Sequence, residues 1–254
     1  MKRATLRLVV VRLLIVLLGT SGITWGAGSF PTFWRDLPIE RASAEIVDRT
    51  PLNPDALLTA KPDLIRVEGS EWCRPEGLEP AAIIRVRLAE IAIASGKRNV
   101  IDERLSEADS AVRHALGCVP SSAFLWTALA WLDLVRRGFA SEQLDYLRLS
   151  YKAGPNEGWV ATRRNRLALS IFAELPPDLA ECAVQEFARM VDSAIYWDTI
   201  STFAGSASVV RKRLLAGLGS AGPRQREAFA NGLYAQGFDV VIPGTSRRDP
   251  RPWY

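Results

Sequence analysis

"SSAFLWTALAWLDLVRRGFASEQLDYLRLSYKAGP", Ser121 to Pro155, sets the architecture. Ser121 or Ser122 stands where a helix N-cap belongs, because a serine oxygen accepts from the free amides of a first turn. Apolar residues then recur at helical spacing until Gly138, which offers a turn. A second helical stretch, Ala140 to Gly154, ends at Pro155, which cannot continue a helix. Pro120 closes the preceding pattern, and the two prolines are 35 residues apart. That interval fits one helix pair and its turns.

The same punctuation extends in both directions. Upstream, "EGLEPAAIIRVRLAEIAIASG" puts Ile83, Ile84, Leu88, Ile91 and Ala92 on one face and stops at Gly96. "VIDERLSEADSAVRHALGCVP" follows, with Leu105, Ala108, Val112, Ala115 and Leu116 at helical spacing. Downstream, "NEGWVATRRNRLALSIFAEL" starts at Asn156, the expected cap, with Glu157 in the first turn, and stops at Pro176-Pro177. "PDLAECAVQEFARMVDSA" is the next helix, and three shorter ones are expected near 194–203, 206–218 and 223–236. Between Asp36 and Ile65 the prolines at 38, 51, 54 and 62 should divide the chain into short helices. No stretch shows sustained strand alternation. "DVVIP" near the end is a short extended candidate before an irregular tail.

Within the Pro120–Pro155 interval stand Trp126, Leu129, small Ala130, the turn residue Gly138, small Ser150 and Pro155. This pattern resembles a tetratricopeptide repeat. In the preceding interval Ala108 and Ala115 occupy two small sites seven apart, Gly96 the turn, and Leu88-Ala89 the leucine–small pair. The departures are specific. Ala89 and Ala130 replace the consensus glycine, Gln143 stands at a small-residue site, and the stretch after Gly96 is about seven residues too long for the pattern. Beyond Pro155, Ala161 and Met190 replace a usual Trp and a usual small residue. The resemblance covers 76–195 and implies an all-α fold of stacked helix-turn-helix repeats, a tetratricopeptide-like α-solenoid. Small residues matter in such a stack because they let helix axes approach and bury surface no single pair can bury alone.

The N-terminus carries a different signal. Lys2, Arg3, Arg7 and Arg12 supply a charge equal to the whole net +4, and the first thirty residues contain no acid. The remainder is formally neutral, which argues against a phosphate-backbone surface and sets nucleic acid aside. Leu8 to Gly28 is apolar apart from Arg12 and three hydroxyl residues. It is long enough to cross a bilayer, with Arg12 reaching back to the headgroups and Trp25 at the far interface. A cleaved signal peptide ending near Ala27-Gly28-Ser29 is the alternative. Either way the residues beyond Phe30 are expected outside the cytoplasm. Export makes a disulfide feasible. Cys73 and Cys118 flank one expected helix pair, and their bridging would stabilise by about 4 kcal/mol. Three buried thiols are the alternative, and Cys182 reads as a small core residue.

The expected organisation is therefore a membrane anchor over 1–30, short helices over 31–75, repeats over 76–195, capping helices over 196–240 and an irregular tail over 241–254. In a solenoid the first helix of each pair lines the concave face. That places Phe124, Thr127, Trp131 and Leu134 from one repeat beside Trp159, Thr162, Arg166 and Leu169 from the next. Such a groove suits a sugar ring or a peptide carboxylate, unless neighbouring helices bury it. Arg163, Arg164 and Arg166 read as a solvated face or an anionic groove. No phosphate loop, nucleophile elbow or zinc motif is present, and the single histidine, His114, sits on a helix surface. No enzyme, metal or cofactor is expected.

The anchor, "LRLSYKAGPNEGWVATRRNRLAL" and "FANGLYAQGFDVVIPG" together resemble membrane-anchored tetratricopeptide-like proteins encoded near bacterial exopolysaccharide or O-antigen genes. That resemblance implies a single-pass inner-membrane protein with its bulk in the periplasm, scaffolding a partner protein. A carbohydrate-binding accessory, or a helical polysaccharide-modifying enzyme, are the alternatives.

Overall fold

A computed structural model describes residues 2–50 and 53–245. Among these residues the chain is all-α, with twelve α-helices, two 3-10 turns and no strand. The tail residues 246–254 lie outside the described residues, and so does Pro51. "DVVIP" is irregular rather than a strand.

The chain divides into two compact units, Met1–Arg98 and Asn99–Tyr254. The division falls between the two helices read as the first repeat. In the first unit α1 runs Lys2–Val47, α2 Pro54–Thr59, α3 Lys61–Glu68 and α4 Pro75–Ser95. The 46-residue α1 overturns the expectation that Pro38 breaks the chain, since Pro31 and Pro38 both lie inside it. An interior proline costs about 3 kcal/mol in lost hydrogen bonding and steric clash. Beyond Pro38, Ile39 and Ile46 are buried, and α1 packs on α3 and α4. Tertiary burial of that face outweighs the local penalty. Pro54 opens α2.

Val10–Pro31 is long and apolar enough to cross a membrane, and none of it is buried. Asp36 closes the start of the packed part of α1. Its Oδ1 accepts from Arg66 (2.7 Å) and its Oδ2 from Arg74 (2.6 Å). Arg85, on α4, is held by a two-point pair with Glu68, both distances 2.8 Å.

In the second unit α5 spans Arg98–Cys118, α6 Ala123–Arg137, α7 Glu142–Ala153, α8 Gly158–Ser170 and α9 Pro177–Asp192. Three shorter helices follow, α10 (Tyr196–Gly205), α11 (Ser208–Gly217) and α12 (Pro223–Ala235). The punctuation works through identifiable atoms. The Ser122 side chain accepts from the Leu125 amide (3.2 Å), fixing the start of α6. Gly138 takes a φ of 79° at its end. Gln143, the misfit at a small-residue site, is buried and locks that same turn: its side-chain Nε2 donates to the Gly138 carbonyl (2.8 Å) and its Oε1 accepts from the Ala140 amide (3.0 Å). Asn156 is not the cap of α8. Glu157 occupies that position, without a side-chain capping bond.

Ala108, Ala115 and Ser150, the small sites, are all fully buried. α6 packs along α7, α8 along α9, and α6 also meets α8. A small apolar cluster of Ala130, Leu147, Leu167 and Leu179 joins the two pairs. A larger one, built on Phe187, Phe203 and Phe229, holds α9 to the last three helices.

Candidate functional site

The most organised chemistry lies where α7, α8 and α9 meet, beneath the opening turn of α6. Ser150 and Gly154, one helical turn apart, present the small face of α7 to the start of α6. A Cβ on Gly154 would sit 2.7 Å from the Ala123 Cβ, so only glycine allows that approach. The Ser150 hydroxyl donates to the Ala123 carbonyl (2.8 Å) and lies 2.7 Å from the Thr127 hydroxyl.

Arg164 enters this junction from α8 and is wholly inaccessible to solvent. Its Nη1 donates to the Ser150 carbonyl (2.8 Å) and hydroxyl (2.9 Å), and its Nη2 to the Gly154 carbonyl (3.0 Å). It thereby gives a donor to the Gly154 carbonyl at the C-cap of α7, and a second donor to the Ser150 carbonyl, which already accepts from the Gly154 amide (3.1 Å). Nε and Nη2 donate to Glu186 Oε1 on α9, at 3.0 and 2.5 Å. The other Glu186 oxygen accepts from the Tyr151 hydroxyl (3.3 Å), while the guanidinium lies 4.3 Å from the Tyr151 ring centre. Burial pushes the Glu186 carboxyl up from its ordinary range, against the pull of Arg164. Burial and the Glu186 charge together hold the Tyr151 hydroxyl far above the phenol range. The Arg164 donors are thus directed into protein groups, and the arrangement is a clasp between three helices rather than an anion site.

This corrects the reading of the arginine run. Arg166 is exposed and stands 3.9 Å from Asp198; Arg163 is half-buried; Arg164 is interior. The signal was present in the sequence. Ala161, Leu167 and Ala168, the helical neighbours of position 164, are all apolar, so Arg164 lies on the buried stripe. The partner was equally visible in part, since Glu186 stands among Ala183, Phe187 and Met190.

The expected groove residues distribute unevenly. Phe124 and Trp159 stack, with ring centres 4.9 Å apart, and Arg163 lies 6.0 Å from the Phe124 ring. Thr127 instead faces α7. Trp131 and Leu134 are half-buried against the small apolar cluster, and Leu169 belongs to the larger one. The Thr162 hydroxyl donates to the Trp159 carbonyl (2.8 Å). Of the expected set, Arg166 is exposed, Trp131, Leu134 and Trp159 are half-buried, and the rest are buried.

Cys73 and Cys118 are disulfide-bonded, and Cys182 is the free thiol. Burial pushes the Cys182 thiol up, which disfavours the reactive thiolate. His114 is exposed. Among the described residues no three His, Cys, Asp or Glu side chains are grouped to hold a metal ion. No family model matches this chain, and no curated protein or solved structure is significantly similar to it.

Proposed function

We propose that this chain is a non-catalytic, membrane-anchored scaffold of tetratricopeptide-like kind, whose helical repeats bind a partner protein in the bacterial envelope. The supporting observation is the join between α6/α7 and α8/α9. Small residues and a buried ion pair fix the stack there, and the buried polar groups serve the packing. The exposed apolar span in α1 supports a single-pass arrangement, with inner-membrane location and a periplasmic body as its envelope form. The acidless basic leader favours that orientation. A role in exopolysaccharide or O-antigen assembly belongs to the same proposal.

The test is affinity capture of the full chain from solubilised membranes. A stoichiometric protein partner, reduced by Arg166→Glu on the exposed face of α8, supports the scaffold. Recovery of the chain alone, across detergents that keep it folded, removes it.

A second reading, a carbohydrate-binding accessory, draws on the Phe124–Trp159 stack with Arg163 at its edge and Arg166 exposed nearby on the same helix. Glycan binding by the parent chain that is lost in Trp159→Ala would favour it. No binding by the parent chain would eliminate it.

A further inference from the structure

The first unit places an exposed tryptophan beside the point where α1 leaves its apolar span. Val10–Pro31 contains 22 residues, about 33 Å of helix against a hydrocarbon layer of about 30 Å. Phe30, Phe33 and Trp34 then cluster at its end, all exposed, with Phe30 and Trp34 in ring contact at 5.8 Å. Such aromatic residues favour the headgroup layer, where an apolar ring and a polar edge are both accommodated.

Asp36 comes five residues after Pro31, about 8 Å farther along the axis. It is the first residue of α1, among those described, to be buried. Arg74 binds its carboxylate at 2.6 Å, and a Cβ on Gly77 would lie 3.6 Å from the same group. The beginning of α4 is therefore level with the beginning of the packed part of α1. The later buried residues, Ile39, Ser43 and Ile46, lie on the other side of Asp36 from the span. This fixes the loop between α3 and α4 at the span-proximal end of the unit.

Trp72 is in that loop, two residues before Arg74, and is 79% exposed. Two residues of chain reach at most about 7 Å, comparable with the headgroup layer, which is roughly 5–8 Å deep on each side. The loop is also shaped locally: the Trp72 amide donates to the Ser70 hydroxyl (3.3 Å), and Cys73 is disulfide-bonded.

We propose that Trp72 is a second interfacial anchor, which seats the α3–α4 loop in the lipid headgroup layer beside the exit of α1. The occupant of this surface is the bilayer that holds the span. The inference rests on the anchored reading of α1 and adds to it a defined contact between the first unit and lipid.

The experiment uses the full chain in lipid nanodiscs, labelled with fluorotryptophan and observed by fluorine NMR. Trp34→Phe and Trp72→Phe each remove one resonance and so assign it. A gadolinium chelate is then carried either on lipid headgroups or on a soluble molecule. The expected result is that the lipid-borne ion broadens Trp72 at least half as strongly as Trp34, while the soluble ion broadens Trp72 less than it does in detergent-free, lipid-free unfolded chain. If Trp34 broadens and Trp72 stays sharp with lipid-borne gadolinium, the loop proposal fails while the anchor stands. If neither broadens, the anchor reading fails and takes the loop proposal with it.

Discussion

Two junctions in the second unit hold helices together by opposite means. Where α7, α8 and α9 meet, a guanidinium, a carboxylate and two hydroxyls occupy the interior. Where α9 meets the last three helices, the interior is aromatic: Phe229 lies edge-on to Phe187 (5.7 Å) and Phe203 (6.1 Å). The contrast separates specificity from plasticity. Aromatic contacts accept many arrangements of similar volume, whereas a buried fork of donors accepts only the geometry that satisfies it. The polar junction therefore fixes which surfaces meet, and the aromatic one mainly supplies burial.

The largest expected effect breaks the polar junction on one side. Arg164→Met leaves Glu186 buried without its counter-charge and should destabilise by about 3–5 kcal/mol in denaturant titration. Adding Glu186→Leu should recover part of this. A cost of about 1–3 kcal/mol should remain from the Gly154 carbonyl, which loses its Arg164 donor. A double variant no better than the single one would show that charge pairing is not the dominant contribution.

The next effects compare gentle changes at the two places. Arg164→Lys keeps the charge but cannot reproduce the fork, and should cost about 2 kcal/mol. Ser150→Val should cost about 1–3 kcal/mol, because added bulk enters a close helix approach while Nη1 loses an acceptor. Phe229→Leu should stay below about 1.5 kcal/mol. If the leucine variant proves the most damaging of the three by thermal or chemical unfolding, the proposed division between rigid polar and adaptable aromatic junctions is wrong.

The smallest effect concerns the surface. Asp178 pairs with Arg148 at 3.2 Å, and that hydrogen bond draws its carboxyl below the ordinary aspartate range. A depressed folded value contributes stability above the unfolded value and loses it as the pH falls through the folded one. Denaturation midpoints followed from about pH 6 down to about pH 2 should therefore show a slightly shallower acid loss in Asp178→Asn than in the parent. Identical profiles would mean the exposed pair has no energetic consequence.

The punctuation of the second unit was legible because it depends on short-range chemistry. Ser122 caps, Gly138 takes a left-sided φ, and Pro155 interrupts, each acting within a few residues. Gly96 likewise ends α4 with a φ of 71°. Two features resisted the same treatment. Pro38 reads as a breaker in any local window, yet the apolar face beyond it finds a partner on α4. Arg164 reads as surface by its charge although it lies on an apolar stripe, because the groups that hold it arrive from α7 and, with the neutralising Glu186, from α9, 22 positions away. The groove suffered from the same blindness. Phe124 stacks on Trp159, but Thr127 turned toward Ser150, a choice made by hydroxyl pairing rather than by the apolar period.

Glu186 and Phe187 are consecutive, and each serves a different junction. Neighbouring residues on a helix point about 100° apart, so α9 is an axle keyed on two sides. Losing one residue upstream within it would swing both keys out of their slots together. Natural variation in length should consequently gather in the connectors before and after α8, leaving the count of residues inside α9 unchanged.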